Sequence, residues 1–303
     1  MNEARSVLPF TNARRAGHRG PACEGGIARV IVAARAFGPV HARRIAGAMV
    51  VAGAIAVLLA CSSMSACQSH SESAVERIHR TGVLRVGTDA TYPPFESVDP
   101  SSGQLTGFDI DLVRAIARLL PARVEFVVVP FDGIVPGLKS GKYDLIISAM
   151  TITPERAQQI RFTRPYTTAG QSIVVRAGDA SVMGPTDLAG KRIGCQLGTT
   201  GEMEARKIER AQVVSFDAIG SAFRDLENGH LEAAIADTPT ARIFIRDHPT
   251  LRLAGEPLTQ EEFGMAVRLE DPDLAEEIDR AMDRLGETGE RRAIEERWGV
   301  AAQ

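Results

Sequence analysis

Short apolar segments typical of buried strands alternate with helix-like segments along most of this 303-residue sequence. Strand patterns at 83–87, 124–129 and 145–148 are separated by helical patterns at 108–120 and 133–140, and a similar set follows between 192 and 236. Strands that alternate with helices in this way pair in parallel and form doubly wound sheets. The sequence therefore predicts an α/β fold of two lobes, each built around a mainly parallel sheet.

Two extended segments, near Ser172 and near Pro257, connect the two sets of strands and predict a double hinge. We expect residues 78–172 and 258–303 to form lobe 1, and residues 173–257 to form lobe 2. Polar clusters follow strand patterns in both lobes, at Asp89, 148–151, 198–200 and Asp237. Because ligands of open α/β sheets bind at the carboxyl ends of strands, we expect a site in the cleft between the lobes.

The segment 145–156 carries the most specific local signal. Its apolar start predicts a buried strand, and Thr153 followed by Pro154 is typical of a helix N-cap and first helical position. Arg156 then lies in the first helical turn, where its positive charge opposes the helix dipole. An arginine placed there beside a threonine hydroxyl predicts a carboxylate or phosphate site. The alternative is an exposed arginine in an ordinary strand-to-helix loop.

The N-terminal part of the sequence is typical of an exported protein. Residues 45–60 are uncharged and follow a basic stretch, so 41–60 is predicted to be a lipoprotein signal peptide, and residues 1–40 a misassigned start or leader. Cys61 directly follows the apolar run and is the predicted lipidation site, with Cys67 as the alternative. Residues 61–77 are expected to be a tether. A soluble secreted protein without lipid is the other possibility that the sequence leaves open.

Composition and cysteine usage exclude several classes of function. The net charge of −3 does not suggest a nucleic-acid partner, and Cys195 has no cysteine partner in the folded part of the chain. The sequence contains no metal-ligand spacing, phosphate-binding loop or catalytic triad. We therefore expect no cofactor, no metal and no catalytic residue.

Several motifs resemble those of one protein family when taken in order. They are GTDATYPPF at 87–95, GFDIDL at 107–112, DLI at 144–146 and on through Arg156, FTRPY at 162–166, GTT at 198–200, and the terminal segment 286–299. The segment from Ile78 to Val300 resembles the bacterial extracellular solute-binding proteins of family 3, which serve polar amino acid importers of the ABC class and include glutamine- and histidine-binding proteins. The resemblance implies the type II periplasmic-binding fold and delivery of the ligand to a permease.

The resemblance also implies roles for individual residues. Arg156, Thr151 and the backbone at Thr200 would hold the ligand α-carboxylate, and Asp237 the α-ammonium, aided by Ser148 and Ala149. Tyr92 and Phe131 would enclose the ligand side chain, and Asp89 would accept a hydrogen bond from its end. The residues alone permit simpler roles, which are a helix cap for Asp237, a loop aromatic for Tyr92, a core residue for Phe131, and a helix-start charge for Asp109 and Asp111.

The resulting expectation is a monomeric, membrane-anchored extracytoplasmic binding protein, with glutamine as the first expected ligand and a cationic amino acid as the second. A ligand carboxylate is disfavoured beside Asp89 because like charges repel. One alternative is an enzyme such as a cyclohexadienyl dehydratase on the same fold, which would need a titratable group at the ligand centre. A sensor domain of a signalling protein is the other alternative.

Overall fold

The structure, a computed structural model, describes residues 72–300. The predicted leader, signal peptide and lipidation site lie outside the described residues. Within 72–300, no helix combines the length and apolar composition that a membrane-spanning helix requires. The α/β class predicted from the alternation of strands and helices is confirmed, and two five-stranded sheets form the framework.

The described part begins with helix α1 (Ala74–Thr81), so the tether ends earlier than the predicted residue 77. Ser73 and Glu76 form a capping box in which each side chain accepts a hydrogen bond from the other residue's backbone N–H. Ala74 and Ile78 are buried against the core. The capping box and this burial explain why residues 74–77 belong to a packed helix and not to the tether.

The strands of the first sheet are β1 (Val83–Thr88), β5 (Arg123–Val128), β6 (Leu145–Ile146), β7 (Arg161–Phe162) and β15 (Ala266–Val267). Their spatial order is β5-β1-β6-β15-β7. Strand β1 pairs in parallel with both β5 and β6, whereas β15 runs antiparallel to β6 and β7. Chain order and spatial order differ because helices cross over between the strands.

Five helices accompany the first sheet, between its strands and after them. Their apolar faces pack on the sheet, and helix α2 buries Phe108, Leu112 and Ile116 completely. The bounds are α2 (Phe108–Leu119), α3 (Ile134–Lys139), α4 (Pro154–Ala157), α8 (Pro272–Glu287) and, after it, α9 (Glu290–Trp298). A short 3₁₀ turn, Phe131–Gly133, precedes α3. A small antiparallel sheet of β2 (Thr91–Tyr92), β3 (Glu96–Val98) and β4 (Leu105–Thr106) was not predicted from the sequence.

The strands of the second sheet are β9 (Gln171–Arg176), β10 (Arg192–Gln196), β11 (Gln212–Phe216), β12 (Ala233–Asp237) and β13 (Leu251–Ala254). The sheet repeats the plan of the first, with the order β11-β10-β12-β9-β13. Strand β10 pairs in parallel with β11 and β12, whereas β9 runs antiparallel to β12 and β13. The helices are α5 (Thr200–Lys207), α6 (Ile219–Glu227) and α7 (Thr238–Asp247).

Two chain segments connect the sheets, and they pair with each other. Strand β8 (Thr167–Ala169) leads into β9, while β14 (Glu261–Phe263) leads back from the second sheet, and the two are antiparallel. Gln171 N donates to Thr259 Oγ1 at 2.9 Å, and Leu258 N donates to Gln171 O at 2.6 Å. These bonds form a two-stranded connection where the sequence predicts a double hinge. The exact lobe limits stay a prediction, although β9 of the second sheet starts at Gln171, two residues before the expected limit at 173.

Candidate functional site

A pocket lies between the two sheets, at the carboxyl ends of β6, β10 and β12. Eight of the nine predicted ligand-binding residues line it, and Asp89 is the exception. The pocket is lined by Tyr92, Phe131, Ser148, Ala149, Thr151, Arg156, Gln196, Thr199, Thr200 and Asp237. The structure therefore brings together residues that the sequence separates by up to 145 positions.

Arg156 is buried in this pocket, with 7% of its surface exposed. Thr153 caps the short helix α4 as predicted, because its hydroxyl accepts from Arg156 N. The guanidinium donates to Thr151 O at 2.7 Å and to Gly198 O at 3.0 Å, and it lies over the Phe131 ring at 5.3 Å. Burial lowers the pKa of Arg156, against the raising effect of Glu261 and Asp237. Within 72–300 no carboxylate forms an ion pair with it, so this buried cation retains its affinity for an anion.

Thr151 and Thr200 meet from opposite sides of the pocket, with their hydroxyl oxygens 3.2 Å apart. Both hydroxyls also donate to the same oxygen of Glu261, at 2.7 and 2.8 Å. The N-cap of helix α5 is Thr199, whose hydroxyl accepts from Glu202 N. Capping by Thr199 leaves the Thr200 hydroxyl facing the pocket. The Thr200 N–H lies in the first helical turn, where no intrahelical acceptor exists.

Asp237 occupies the N-cap position of α7, but its side chain does not cap the helix. Its carboxylate accepts hydrogen bonds from Tyr92 Oη at 2.6 Å and from Gln171 Nε2 at 2.8 Å. Burial raises the pKa of Asp237 to about 7, and the nearby Glu261 charge adds to this effect. No Lys, Arg or His of the described chain forms an ion pair with it. Asp237 is therefore a buried acid in lobe 2 that faces the pocket, as the family resemblance implies.

Ser148 and Ala149 form a strained wall of the pocket. Ala149 has φ +44°, a left-handed conformation that residues other than glycine rarely adopt. Its N–H donates to Asp109 Oδ2 at 2.8 Å, and the Ser148 hydroxyl donates to Glu96 Oε1 at 2.7 Å. The buried carboxyls of Glu96 and Asp109 thus bind the Ser148–Ala149 segment through hydrogen bonds. Burial raises the pKa of both carboxyls.

Asp109 lies in the first turn of α2, as the simpler reading of the sequence permits, but it is fully buried and also accepts from Tyr166 Oη. Asp111 does match the expected role, because it is partly exposed and pairs with Arg114 and Arg297. Asp109 and Asp111 thus have different roles within one helical turn, and the sequence alone does not distinguish these roles.

Asp89 lies behind the pocket wall and contacts a residue of the other lobe. Its two carboxylate oxygens accept from Thr91 Oγ1 at 2.6 Å and from Gln196 Nε2. Its backbone N–H donates to the Ser148 hydroxyl at 3.0 Å. Burial raises the pKa of Asp89, and the neighbouring Asp132 charge raises it further. The structure thus places Gln196, which sequence analysis did not single out, between Asp89 and the pocket.

Sequence analysis missed three polar residues of the site, namely Gln171, Gln196 and Glu261, whereas Thr199 lies within the predicted polar cluster 198–200. Gln196 lies two residues before that cluster, so its position at a strand end was an available signal. Gln171 and Glu261 lie in the segments that connect the lobes, where a polar residue does not by itself indicate a ligand site. Within 72–300, no group of three or more His, Cys, Asp or Glu residues has the geometry to hold a metal ion.

Comparison with known proteins supports the resemblance drawn from the motifs. The family model of the bacterial extracellular solute-binding proteins, family 3, matches residues 84–301. The chain belongs to this family. The ABC transporter arginine-binding protein 1 of Escherichia coli is 36% identical over 232 residues, which cover 75% of this chain and 92% of that protein.

Solved structures of relatives share the fold, which confirms the predicted two-lobed type II class. An ancestral arginine-binding protein bound to glutamine is 42% identical, with a TM-score of 0.68, over 72% of this chain and 97% of that chain. The ancestral amino acid-binding protein AncCDT-1, a precursor of cyclohexadienyl dehydratase, is 37% identical, with a TM-score of 0.70, over 75% of this chain and 99% of that chain. These relatives are binding proteins by name.

Proposed function

We propose that this protein is a non-enzymatic, extracytoplasmic receptor that captures a polar L-amino acid and delivers it to the permease of an ABC importer. The observation that carries the proposal is a pair of buried, opposite charges. Arg156 in lobe 1 and Asp237 in lobe 2 line the same pocket, and neither forms an ion pair with a residue of the described chain. Unpaired buried charges are costly, so a ligand that carries both complementary charges stabilises the site.

The α-carboxylate of an amino acid fits the Arg156 end of the pocket. The Thr151 and Thr200 hydroxyls lie next to Arg156 and supply uncharged donors. The α-ammonium fits Asp237, whose ionised form it would stabilise. Because the two charged groups belong to different lobes, the ligand bridges them and favours the closed arrangement over an open one. Tyr92 and Phe131 then remain to contact the ligand side chain.

The neighbouring Glu261 carboxylate shares the two threonine hydroxyls with the proposed carboxylate site. A hydroxyl donates only one hydrogen bond, so a bound α-carboxylate and Glu261 would compete for these protons. The ligand is therefore expected to draw most of its carboxylate binding energy from Arg156 and from the backbone at Thr200.

The same proposal includes the cellular context. Family membership supports an extracytoplasmic location, and Leu58-Leu59-Ala60-Cys61 supports a lipid at Cys61 that anchors a monomeric protein to a membrane. Mass spectrometry of the mature N-terminus tests the anchor, and an unmodified Cys61 would contradict it.

A panel of amino acids tests the proposed function directly. Isothermal titration calorimetry of residues 72–303 with glutamine, arginine, lysine, histidine, glutamate and leucine should give stoichiometric binding of a polar member, without product release. Arg156→Ala should abolish that binding while circular dichroism stays unchanged, because loss of one partner of a buried charge pair costs about 2–5 kcal/mol. Arg161→Ala is the matched control, since Arg161 is an exposed arginine five residues away. Equal affinity in wild type and Arg156→Ala would sink the proposal, and turnover of a ligand would favour the enzyme alternative.

A further inference from the structure

Two carboxyl groups lie behind the pocket wall that Ser148 and Ala149 form. Glu96 starts β3 and Asp109 lies in the first turn of α2, and their side chains are hydrogen-bonding neighbours of each other. Glu96 is 1% exposed and Asp109 is fully buried. Within 72–300 neither forms an ion pair with Lys, Arg or His. Two adjacent carboxyls that are buried without a cation cannot both be ionised at low cost.

Each of the two carboxyls has one oxygen with a donor and one without. Glu96 Oε1 accepts from the Ser148 hydroxyl at 2.7 Å. Asp109 Oδ2 accepts from Ala149 N at 2.8 Å and from Tyr166 Oη at 2.9 Å. In the described chain the other two oxygens, Glu96 Oε2 and Asp109 Oδ1, are buried and have no donor. Buried polar atoms of native proteins are nearly always hydrogen-bonded, and one proton between these two oxygens satisfies both.

The titratable groups around the pair favour retention of that proton. Asp89, Tyr92 and Tyr166 face Glu96 or Asp109 from the neighbouring segments, and all three are acids. None of them therefore favours a second negative charge on the pair. Burial raises the pKa of both carboxyls, and the charge of Asp109 raises the pKa of Glu96 further. The pair thus carries a single negative charge near neutral pH.

The pair also fixes which atoms the wall presents to the pocket. Because Ser148 gives its only hydroxyl proton to Glu96, its oxygen can only accept further hydrogen bonds. The bond from Ala149 N to Asp109 holds Ala149 at φ +44°, a conformation that persists only where the surroundings enforce it. Ser148 and Ala149 both line the pocket. With these two donors bonded to the acids, the wall offers acceptors, which suit an ammonium group.

We propose that Glu96 and Asp109 share one proton and are positioning residues, which hold Ser148 and Ala149 as acceptors for the α-ammonium of the ligand. The proposal rests on the amino-acid-binding function above and deepens it. Neither acid lines the pocket, so both act through the wall. Their single charge adds a second anion to the ammonium side, besides Asp237, and it attracts a cationic group at the wall.

Amide substitutions test the shared proton, because an amide has the donor and the acceptor of a protonated carboxyl. In Glu96→Gln the amide nitrogen can donate to Asp109, and in Asp109→Asn it can donate to Glu96, so each single variant keeps a donor between the side chains. The double variant Glu96→Gln/Asp109→Asn places two NH₂ groups against each other as long as the wall keeps its acceptors. Release of the wall removes this conflict but withdraws the acceptors from the ammonium.

Calorimetry with the same six amino acids measures the effect on the member that wild type binds most tightly. We expect the double variant to lose affinity roughly 10- to 100-fold, far more than the product of the two single losses. Glu96→Gln/Asp111→Asn is the matched control. Asp111 lies on the same helix, but its partly exposed carboxylate accepts from Arg297 and Trp298, so its losses should multiply without any excess.

Infrared difference spectra near neutral pH report the shared proton without a ligand. Wild type minus Glu96→Gln and wild type minus Asp109→Asn should each show the carbonyl band of one protonated carboxylic acid, because either substitution removes that acid from the pair. Asp237 is present in all three proteins and cancels from the difference. A pair that only fills space, with no shared proton, gives no such band.

The outcomes separate this inference from the proposed function. Absence of the acid band from both difference spectra overturns the shared proton, and these spectra decide even if the double variant does not fold. If the double variant folds and its affinity loss equals the product of the single losses, the positioning role is wrong. If wild type binds no amino acid, or Arg156→Ala leaves binding intact, the proposed function fails and the positioning role fails with it, whereas the infrared result stands by itself.

Discussion

Asp237 illustrates how a single position can satisfy a local pattern and serve another purpose. The sequence Asp237-Thr238-Pro239 is typical of a helix start, and the residue does occupy the N-cap position. Its carboxylate nevertheless bonds to Tyr92 and Gln171, and its pKa is raised to about 7 by burial. Because Asp237 is the proposed ligand for the α-ammonium, this pKa should make ligand binding depend on pH near neutrality.

Amino-acid affinity is expected to rise with pH and to level off above about pH 7. Protonated Asp237 carries no charge for the ligand ammonium, whereas bound ammonium stabilises the ionised carboxylate, so binding releases a proton below the raised pKa. Linkage of one proton allows a change of up to about tenfold per pH unit. Calorimetry at several pH values, in buffers of different ionisation enthalpy, measures both the affinity and the proton release.

The stability of the ligand-free protein should change in the opposite direction. The folded carboxyl binds its proton more tightly than the unfolded chain, whose Asp has a pKa near 3.8, so this contribution to stability is lost as pH rises toward about 7. Asp237→Asn removes the titrating group and should flatten both profiles while weakening binding overall. A pH slope that persists unchanged in Asp237→Asn would assign it to other buried acids, such as Asp109 and Glu96.

The residues that sequence analysis found are those with a distinctive local context. Arg156 opposes its helix dipole and Thr153 precedes a proline, and both signals are local. Gln196 and Glu261 have no such context, since their importance comes from contacts with Asp89 and Thr151 more than 100 positions away along the chain. Long-range polar contacts cannot be inferred from one sequence without a family to supply the pairing.

Among the elements, the helices and parallel strands were largely predictable because apolar periodicity marks them. The helix predicted at 108–120 is observed as Phe108–Leu119, and the strand Val83–Thr88 extends one residue beyond the predicted end. Strand β6 is shorter than the predicted 145–148, because Ser148 and Ala149 turn away to form the pocket wall. The two-residue strands β2, β4 and β7 were not predicted, since so short a segment has no detectable alternation.

The connection between the lobes depends on close approach of its two segments at Gly170. A Cβ atom added there would overlap the carbonyl oxygen of Thr259, and backbone atoms cannot move aside as a side chain can. Gly170→Ala is therefore expected to destabilise the protein by about 1–3 kcal/mol, as steric overpacking does. It should also weaken ligand binding, because β8 and β14 would no longer pair in the arrangement that accompanies lobe contact.

Thermal denaturation and calorimetry of Gly170→Ala measure these two effects. Gly178→Ala is the matched control, since Gly178 follows β9 and an added Cβ meets no atom within 4 Å. Equal melting temperatures for the two variants would show that the connection tolerates the added methyl group and that the close approach has no energetic importance.

At the scale of the whole molecule, four polar contacts across the cleft hold the lobes together. Each joins a residue that follows β1 or β6 of the first sheet to a residue at or just after the end of β10 or β12 of the second sheet. Together these contacts surround the pocket. The contacts are Tyr92 with Asp237, Asp89 with Gln196, Arg156 with Gly198, and Thr151 with Thr200. Because most of these residues also belong to the proposed ligand site, binding and closure are expected to be coupled.

Tyr92→Phe tests how much the protein's own contacts, without a ligand, keep the cleft closed. The Tyr92 hydroxyl donates to Asp237 Oδ2 at 2.6 Å and accepts from Asp237 N at 3.2 Å, so its removal leaves two polar groups unpaired in the closed arrangement. Unpaired buried groups cost about 1–3 kcal/mol each, whereas in an open arrangement water satisfies them. The ligand-free variant should therefore populate open conformations more than the wild type does.

Small-angle X-ray scattering measures this shift as a larger radius of gyration for ligand-free Tyr92→Phe. Saturating arginine should return the variant to the radius of the liganded wild type, because the ligand supplies its own contacts between the lobes. Tyr143→Phe is the matched control, since the Tyr143 hydroxyl donates to Ile134 O within one lobe and should not influence closure. If ligand-free Tyr92→Phe and Tyr143→Phe have the same radius as the wild type, the Tyr92–Asp237 contact does not govern the opening of the cleft.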